Sequence, residues 1–336
     1  MNSMETGESC VIYAAEELLP AEWRPFSQEG PVRTFNPGLL RADDGWILAY
    51  RVVGSDGLRR IGVCRLTAEL RIVPGSQIAW SDYVQFPNSE RYPEIVRKWF
   101  ADPRLYRLGR RLFLYWNSGW HEPQNEQFLH EIDSTTLRPI GGPRALRLSG
   151  PRQKLEKNWT FFGHGPEVFQ AVYSVVPHRV LKFSTSGEDD IFFDEVASTA
   201  WTFEHYPRSH GGLRGGAPPV FADGRYWSFC HSVHDGANGY RYAPAVYSFS
   251  SEPPFVPLSA PRVPLELATD YRSKREFPRL NPAVDEVIYP CGAAQEGTRW
   301  IISHGINDER CAVSIVSAAS VSATLEPAHV DAVGRS

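Results

Sequence analysis

Asn36-Pro37-Gly38-Leu39-Leu40, then Asp44-Gly45, then Trp46-Ile47-Leu48-Ala49-Tyr50-Arg51: a proline-led apolar strand, a glycine turn, and a second strand ending on a polar residue. Short apolar runs bounded by turn residues read as strands. The frame returns in Asp102-Pro103-Arg104-Leu105-Tyr106 with Gly109 and Tyr115-Trp116-Asn117, and again in Lys157-Asn158-Trp159 with Tyr173-Ser174. It recurs in Gly216-Ala217-Pro218-Pro219-Val220 with Asp223-Gly224 and Cys230-His231, and in Val287-Ile288-Tyr289-Pro290-Cys291-Gly292 with Gly297 and Ser303-His304. The starts at 36, 102, 157, 216 and 287 lie 66, 55, 59 and 71 residues apart.

Periodic hairpins, each too small to bury its own faces, are the signature of a propeller. Units longer than the ~40–45 residues of common propeller repeats favour few blades with long loops. The expected fold is therefore all-β, a five-bladed β-propeller, with a pair of β-sandwich domains as the competing architecture. Helical signals are thin, because 27 glycines and 27 prolines interrupt the chain; Ala14–Leu19 and Tyr92–Phe100 are the best candidates. The expected organisation is an N-terminal extension over 1–30 packing on the propeller, one catalytic propeller domain over 31–325, and a tail over 326–336.

In a propeller the inner strands converge on one channel, so polar residues at corresponding positions of the units share a funnel. That gathers Asn36, Arg51, Asp102, Arg104, Asn117, Lys157, Arg214, His231, His304 and Asp308 as candidates for one pocket. His234, Asp235, Tyr240 and Tyr242 follow His231 and are placed to close over a ligand.

Composition narrows the function classes. Among 336 residues, 35 basic and 39 acidic side chains give a net charge of −4, with no long run of one sign. Neither a nucleic-acid backbone nor an anionic membrane is matched by such a surface. No apolar run approaches the ~18 residues of a membrane span. Five scattered cysteines without a C-x-x-C pair argue against a disulfide framework or zinc ribbon, and fit buried thiols in a reducing compartment. Met1–Arg24 carries acids and no basic stretch leading into an apolar core, so the expected location is the cytoplasm.

With Asn36-Pro37 and Tyr50-Arg51 upstream, Asp102-Pro103-Arg104 resembles the motif of glycoside hydrolase family 130, the five-bladed-propeller mannoside phosphorylases and mannosidases. The resemblance runs over roughly residues 30–320. Glu156-Lys157-Asn158-Trp159 is similar to that family's third-blade segment, and Gly215-Gly216-Ala217-Pro218-Pro219 with Phe229-Cys230-His231 to its fourth. Tyr289-Pro290-Cys291-Gly292 with Ser303-His304-Gly305-Ile306-Asn307-Asp308 is similar to the last blade. Ala101, Cys230 and Ser232 depart from the pattern, as in a divergent branch. The resemblance implies Asp102 as general acid, acting through a substrate hydroxyl, and Lys157 meeting substrate or phosphate.

Breaking a glycosidic bond requires a proton for the leaving oxygen and a nucleophile at the anomeric carbon. A hydrolase uses a second carboxylate for water, and Asp308 and Glu156 are rivals for it. A phosphorylase instead needs a cationic cradle for phosphate; Arg104 suits bidentate contacts and His231 can donate. Trp46, Trp116, Trp159, Trp201 and Trp227 offer stacking faces, of which one or two are expected at the site. No metal or organic cofactor is implied; inorganic phosphate is the co-substrate of the phosphorolytic case. The expected function is an inverting glycoside phosphorylase or hydrolase acting on β-mannosides or related oligosaccharides. The alternatives are a glycosyltransferase on the same scaffold and a non-catalytic sugar-binding propeller. Oligomeric state is left open, a homo-oligomer included.

Overall fold

The computed structural model describes residues 9–119, 125–153, 156–163, 169–206, 211–267 and 274–330. Its strands form five blades around one axis. The first blade holds β2 (Arg33–Ala42), β3 (Gly45–Val53) and β4 (Arg59–Leu66), after a terminal β1 (Ser9–Tyr13). The second holds β5 (Ala101–Leu108), β6 (Arg111–Asn117), β7 (Gln127–Ile132) and β8 (Arg144–Leu148). The third holds β9 (Thr160–Phe162), β10 (Gln170–Ser174), β11 (His178–Ser186) and β12 (Asp190–Thr199), followed by the short β13 (Trp201–Thr202). In the fourth, β14 (Leu213–Arg214) and β15 (Val220–Ala222) both pair with β16 (Arg225–Gly236), which continues into β17 (Gly239–Ser250) and β18 (Pro257–Pro261). The fifth holds β19 (Val284–Glu296), β20 (Arg299–Ile306) and β21 (Arg310–Ser317).

The termini lace the ring. Strand β1 pairs antiparallel with β21 and so completes the fifth blade, while β22 (Leu325–Pro327) joins β18 and β23 (His329–Val330) joins β13. Of the two helical expectations, Ala15–Leu18 and Glu94–Arg97 form single turns.

Five interblade cores close the circle. Strand alternation sends successive side chains to opposite faces, so Trp46, Leu48 and Tyr50 of β3 meet Cys311 and Val313 of the fifth blade, and Ile47 and Ala49 meet Leu105, Leu114 and Trp116 of the second. Tyr106, Phe113 and Tyr115 then meet Phe161 and Phe193; Phe162 and Val180 meet Tyr247 and Phe249; Phe229 and Val246 meet Ile302 and Ala312. Each fully buried aromatic or leucine contributes about 1.5–3 kcal/mol. No blade buries its two faces alone, which is why the hairpins repeat.

One local device aims side chains at the axis. Asn36, Asp102 and Asn158 adopt left-handed backbone, φ 52°, 53° and 65°, at or just before the innermost strands of blades one to three. Pairing slips there, between Phe35 and Gly38 and between Ala101 and Arg104. A bulge of this kind bends the strand and re-aims its side chain, and Asn and Asp tolerate that conformation best among non-glycine residues. The inner strands also crowd together: a Cβ on Gly38 would stand 2.7 Å from the Pro103 carbonyl oxygen. At the opposite end of the same strands lies a second, largely apolar cavity bounded by Leu40, Leu108, Phe161, Pro219 and Ala293.

Candidate active site

A cavity of about 270 Å³ opens where the bulged ends of the inner strands converge. Eight of the ten residues gathered from the five units line it, Asn36, Arg51, Asp102, Asn117, Lys157, Arg214, His231 and Asp308, and of the four that follow His231 Tyr242 does while His234, Asp235 and Tyr240 do not. Nor do Arg104 and His304. Arg104 is fully buried among the strands, and His304, on β20, turns its Nε2 to Ser314 Oγ at 2.9 Å.

Asp102 is the best-connected carboxylate of the cavity. Its Oδ1 accepts from Asn36 Nδ2 at 2.8 Å and faces Arg51 Nη1 at 3.5 Å. Burial pushes this carboxyl up, but Arg51, Lys157, Arg104 and the Asn36 hydrogen bond outweigh it, and Asp102 is held below the usual carboxylate range. Asp308 goes the other way: burial raises it, Asp102 adds to that, and Arg51 and Arg275 offset only part. Asp308 is presented by a tight turn in which Asn307 and Asp308 are both left-handed, φ 56° and 57°. Asn307 anchors that turn to β19, donating its N–H to Val287 O at 2.8 Å and accepting from Val287 N on Oδ1 at 3.0 Å.

The cations come from several blades. Arg51 lies near the end of β3 and stacks over Phe35 at 4.9 Å; Arg59 stacks over Trp99 at 4.3 Å. Lys157 precedes β9, and burial together with Arg214, Arg51 and Arg104 lowers its ammonium despite Asp102. Four cations line the cavity against two carboxylates. Burial, then Arg214, Lys157 and Arg104, hold His231 well below its ordinary value, so its imidazole is neutral at pH 7. It stacks on Tyr242 at 5.3 Å and meets the edge of Tyr289 at 4.7 Å.

Arg104 is the hub behind this wall. Its Nε donates to Gly216 O at 2.5 Å, and its Nη2 donates to Tyr289 OH at 2.6 Å and Asn158 Oδ1 at 3.2 Å. Tyr289 OH in turn donates to Asn158 Oδ1 at 2.9 Å. This network ties the second, third, fourth and fifth blades together at the axis, and both Asn158 and Tyr289 line the cavity. Glu156, the rival second carboxylate, is buried elsewhere: it accepts from Tyr173 OH at 2.8 Å and Gln153 N at 3.0 Å, and does not line the cavity.

The expected stacking tryptophans are not there. Trp46, Trp116, Trp159, Trp201 and Trp227 are at most 8% exposed and fill interblade cores. Trp99 faces the cavity instead, from the irregular segment before β5. Sequence reading also missed Arg59, Asn158, Tyr289 and the stretch Leu280-Asn281-Pro282. Asn158 was findable, since it holds the frame position of Asn36 and Asp102; nothing in the sequence marks Trp99 or Leu280. Among the described residues no group of three or more His, Cys, Asp or Glu is arranged to hold a metal ion.

No protein-family model matches this sequence, and no curated protein does. Solved structures do. A family 130 structure, described with mannoside phosphorylases and with glycoside hydrolases that target β-1,2 mannosidic linkages in Candida mannan, superposes with a TM-score of 0.63 at 12% identity, covering 97% of this chain and 96% of that one. The β-1,2-mannobiose phosphorylase of Listeria innocua, in complex with β-1,2-mannobiose, gives 0.61 at 15% identity over 94% of this chain and 99% of its own. This chain has the fold of the mannoside phosphorylases. A glycosyl hydrolase from Bacteroides ovatus gives 0.61 at 10% identity, covering 89% and 86% of the two chains.

Proposed function

We propose that this protein is an inverting glycoside phosphorylase acting on β-mannosides or closely related oligosaccharides. The observation that carries the reading is the cavity's demand for anionic, acceptor-rich ligands. Four cations face two carboxylates, and the buried donors Arg51 Nε and Arg59 Nε have no hydrogen-bond partner among the described residues. Buried donors without acceptors each cost about 1–3 kcal/mol, a cost that phosphate and sugar oxygens would remove. In the reaction the bond between the anomeric carbon and the glycosidic oxygen breaks, a phosphate oxygen bonds that carbon from the opposite face, and the leaving oxygen takes the proton of a substrate hydroxyl, which Asp102 reprotonates. Arg51, Lys157 and Arg214 hold the phosphate, and neutral His231 donates one hydrogen bond.

A second reading, hydrolysis, is favoured by one feature: Asp308 shares the cavity with Asp102, as the two carboxyls of an inverting hydrolase do. An NMR time course with β-linked mannobioses, β-1,2-mannobiose first, separates the two. An α-sugar 1-phosphate formed only with phosphate supports phosphorolysis. Free sugar with and without phosphate establishes hydrolysis and overturns the first reading; no reaction in either overturns both and leaves the transferase and the binding propeller.

A further inference from the structure

An acid must hold a proton before it can give one, and Asp102 lies in a field that favours its ionised form. Resting on the phosphorolytic reading, we propose that the phosphate co-substrate arms Asp102: an oxyanion in the cavity draws Arg51 away from Asp102, and the carboxylate takes one proton from solvent. Arg51 is built to be shared. Its 3.5 Å approach to Asp102 Oδ1 is long beside the ~2.7–2.9 Å of a charge-assisted hydrogen bond. Its Nε is buried without a partner among the described residues. The Phe35 ring supports the flat guanidinium from one side, so it can turn in its own plane toward an acceptor in the cavity.

Asn36 keeps the carboxyl in place when Arg51 leaves. It donates to Oδ1, which therefore remains an acceptor, and the proton sits on Oδ2. The charged groups around Asp102 are Arg51 on β3, Arg104 on β5, Lys157 ahead of β9, and Asp308 between β20 and β21. The neutral titratable ones are His231, Tyr115, Tyr242, Tyr289 and Cys291, on β16, β6, β17 and β19. An anion bound by Arg51 and Lys157 cancels two of the three positive charges and adds its own negative field. What remains is Arg104 on one side, and on the other burial and the anion's own field, which favour the neutral acid. The order that follows is phosphate first, proton second, bond cleavage third.

Calorimetric titration of the whole chain with sulfate tests this, because sulfate keeps its charge across pH 5.5–7.5. Repeating the titration in buffers of different ionisation enthalpy counts the protons exchanged; inorganic phosphate, with its own ionisation subtracted, gives a second count. The proposal expects uptake approaching one proton per anion at the acid end, and none in Asp102→Asn, which still binds the anion and more tightly. Binding with no proton exchange overturns the coupling and leaves phosphorolysis standing. Uptake that persists in Asp102→Asn but disappears in Asp308→Asn puts the proton on the wrong carboxyl and also overturns it. Failure of both anions to bind overturns the phosphorolytic reading itself.

Discussion

Asp102 and Asp308 line one cavity from different blades, and the protein drives their carboxyls in opposite directions, Asp102 down and Asp308 up. Arg51 acts on both; Lys157, Arg104 and the Asn36 hydrogen bond lower Asp102 further, whereas Asp102 and Glu309 push Asp308 up. Environments that separate the behaviour of two carboxyls are how a single site divides acid and base roles.

The stability of the fold should carry opposite signatures of the two groups. Asp308 binds its proton more tightly in the folded chain, so its contribution is full below the ordinary carboxylate range and is lost as pH rises through its raised folded value. Asp102 is the reverse, stabilising above its ordinary value and losing that as pH falls through its lowered one. Thermal unfolding at pH 4, 5.5 and 7 should therefore find Asp308→Asn more stable than the parent at pH 7, with the gap shrinking toward pH 4. Asp102→Asn should be less stable at pH 7, and its deficit should shrink with acid.

His231 should not titrate in the physiological range. Burial and its cationic neighbours keep the ring neutral, so its Cε1 proton resonance is expected to stay at the neutral position from pH 8 to 5.5. A titration centred near the ordinary histidine value of about 6.5 would refute the neutral donor and make His231 a fifth cation of the cradle.

Arg104 predicts a structural loss rather than a purely kinetic one. Removing its guanidinium leaves Gly216 O without this donor and takes the charged partner from Tyr289 OH and Asn158 Oδ1, which keep their bond to each other. Arg104→Met should lower unfolding free energy by about 3 kcal/mol or more in urea titrations. Arg104→Lys keeps the charge but cannot reproduce the fork, and should recover only part of that.

Much of this was legible in the sequence, and the reasons divide cleanly. The Pro-Gly-punctuated frame revealed five hairpins because each blade must repeat the same alternation to bury two faces. Asp102 and Asn36 stood out because a left-handed bulge before proline leaves a trace in residue type. Arg104 and His304 fit the frame equally well but turned out buried, since one register position on a bulged strand separates a side chain in the channel from one between blades. Nor could the sequence rank tryptophans, because burial in an interblade core and exposure at the axis both call for a large flat ring.

Trp99 lines the cavity, carries Arg59 on its face at 4.3 Å and is half-buried, whereas Trp116 is fully buried and packs on Trp80 and Phe128. Sugar rings stack on exposed aromatic faces, and cores collapse poorly around a deleted indole. Trp99→Ala should therefore raise KM for the glycoside by about tenfold, roughly the 1.4 kcal/mol of one lost ring contact, while changing unfolding free energy by about 1 kcal/mol. Trp116→Ala should cost about 3–5 kcal/mol of stability. Steady-state kinetics and urea titration on the two variants check the contrast. Equal stability losses would mean that Trp99 is a packing residue and that the cavity recognises its sugar through polar contacts alone.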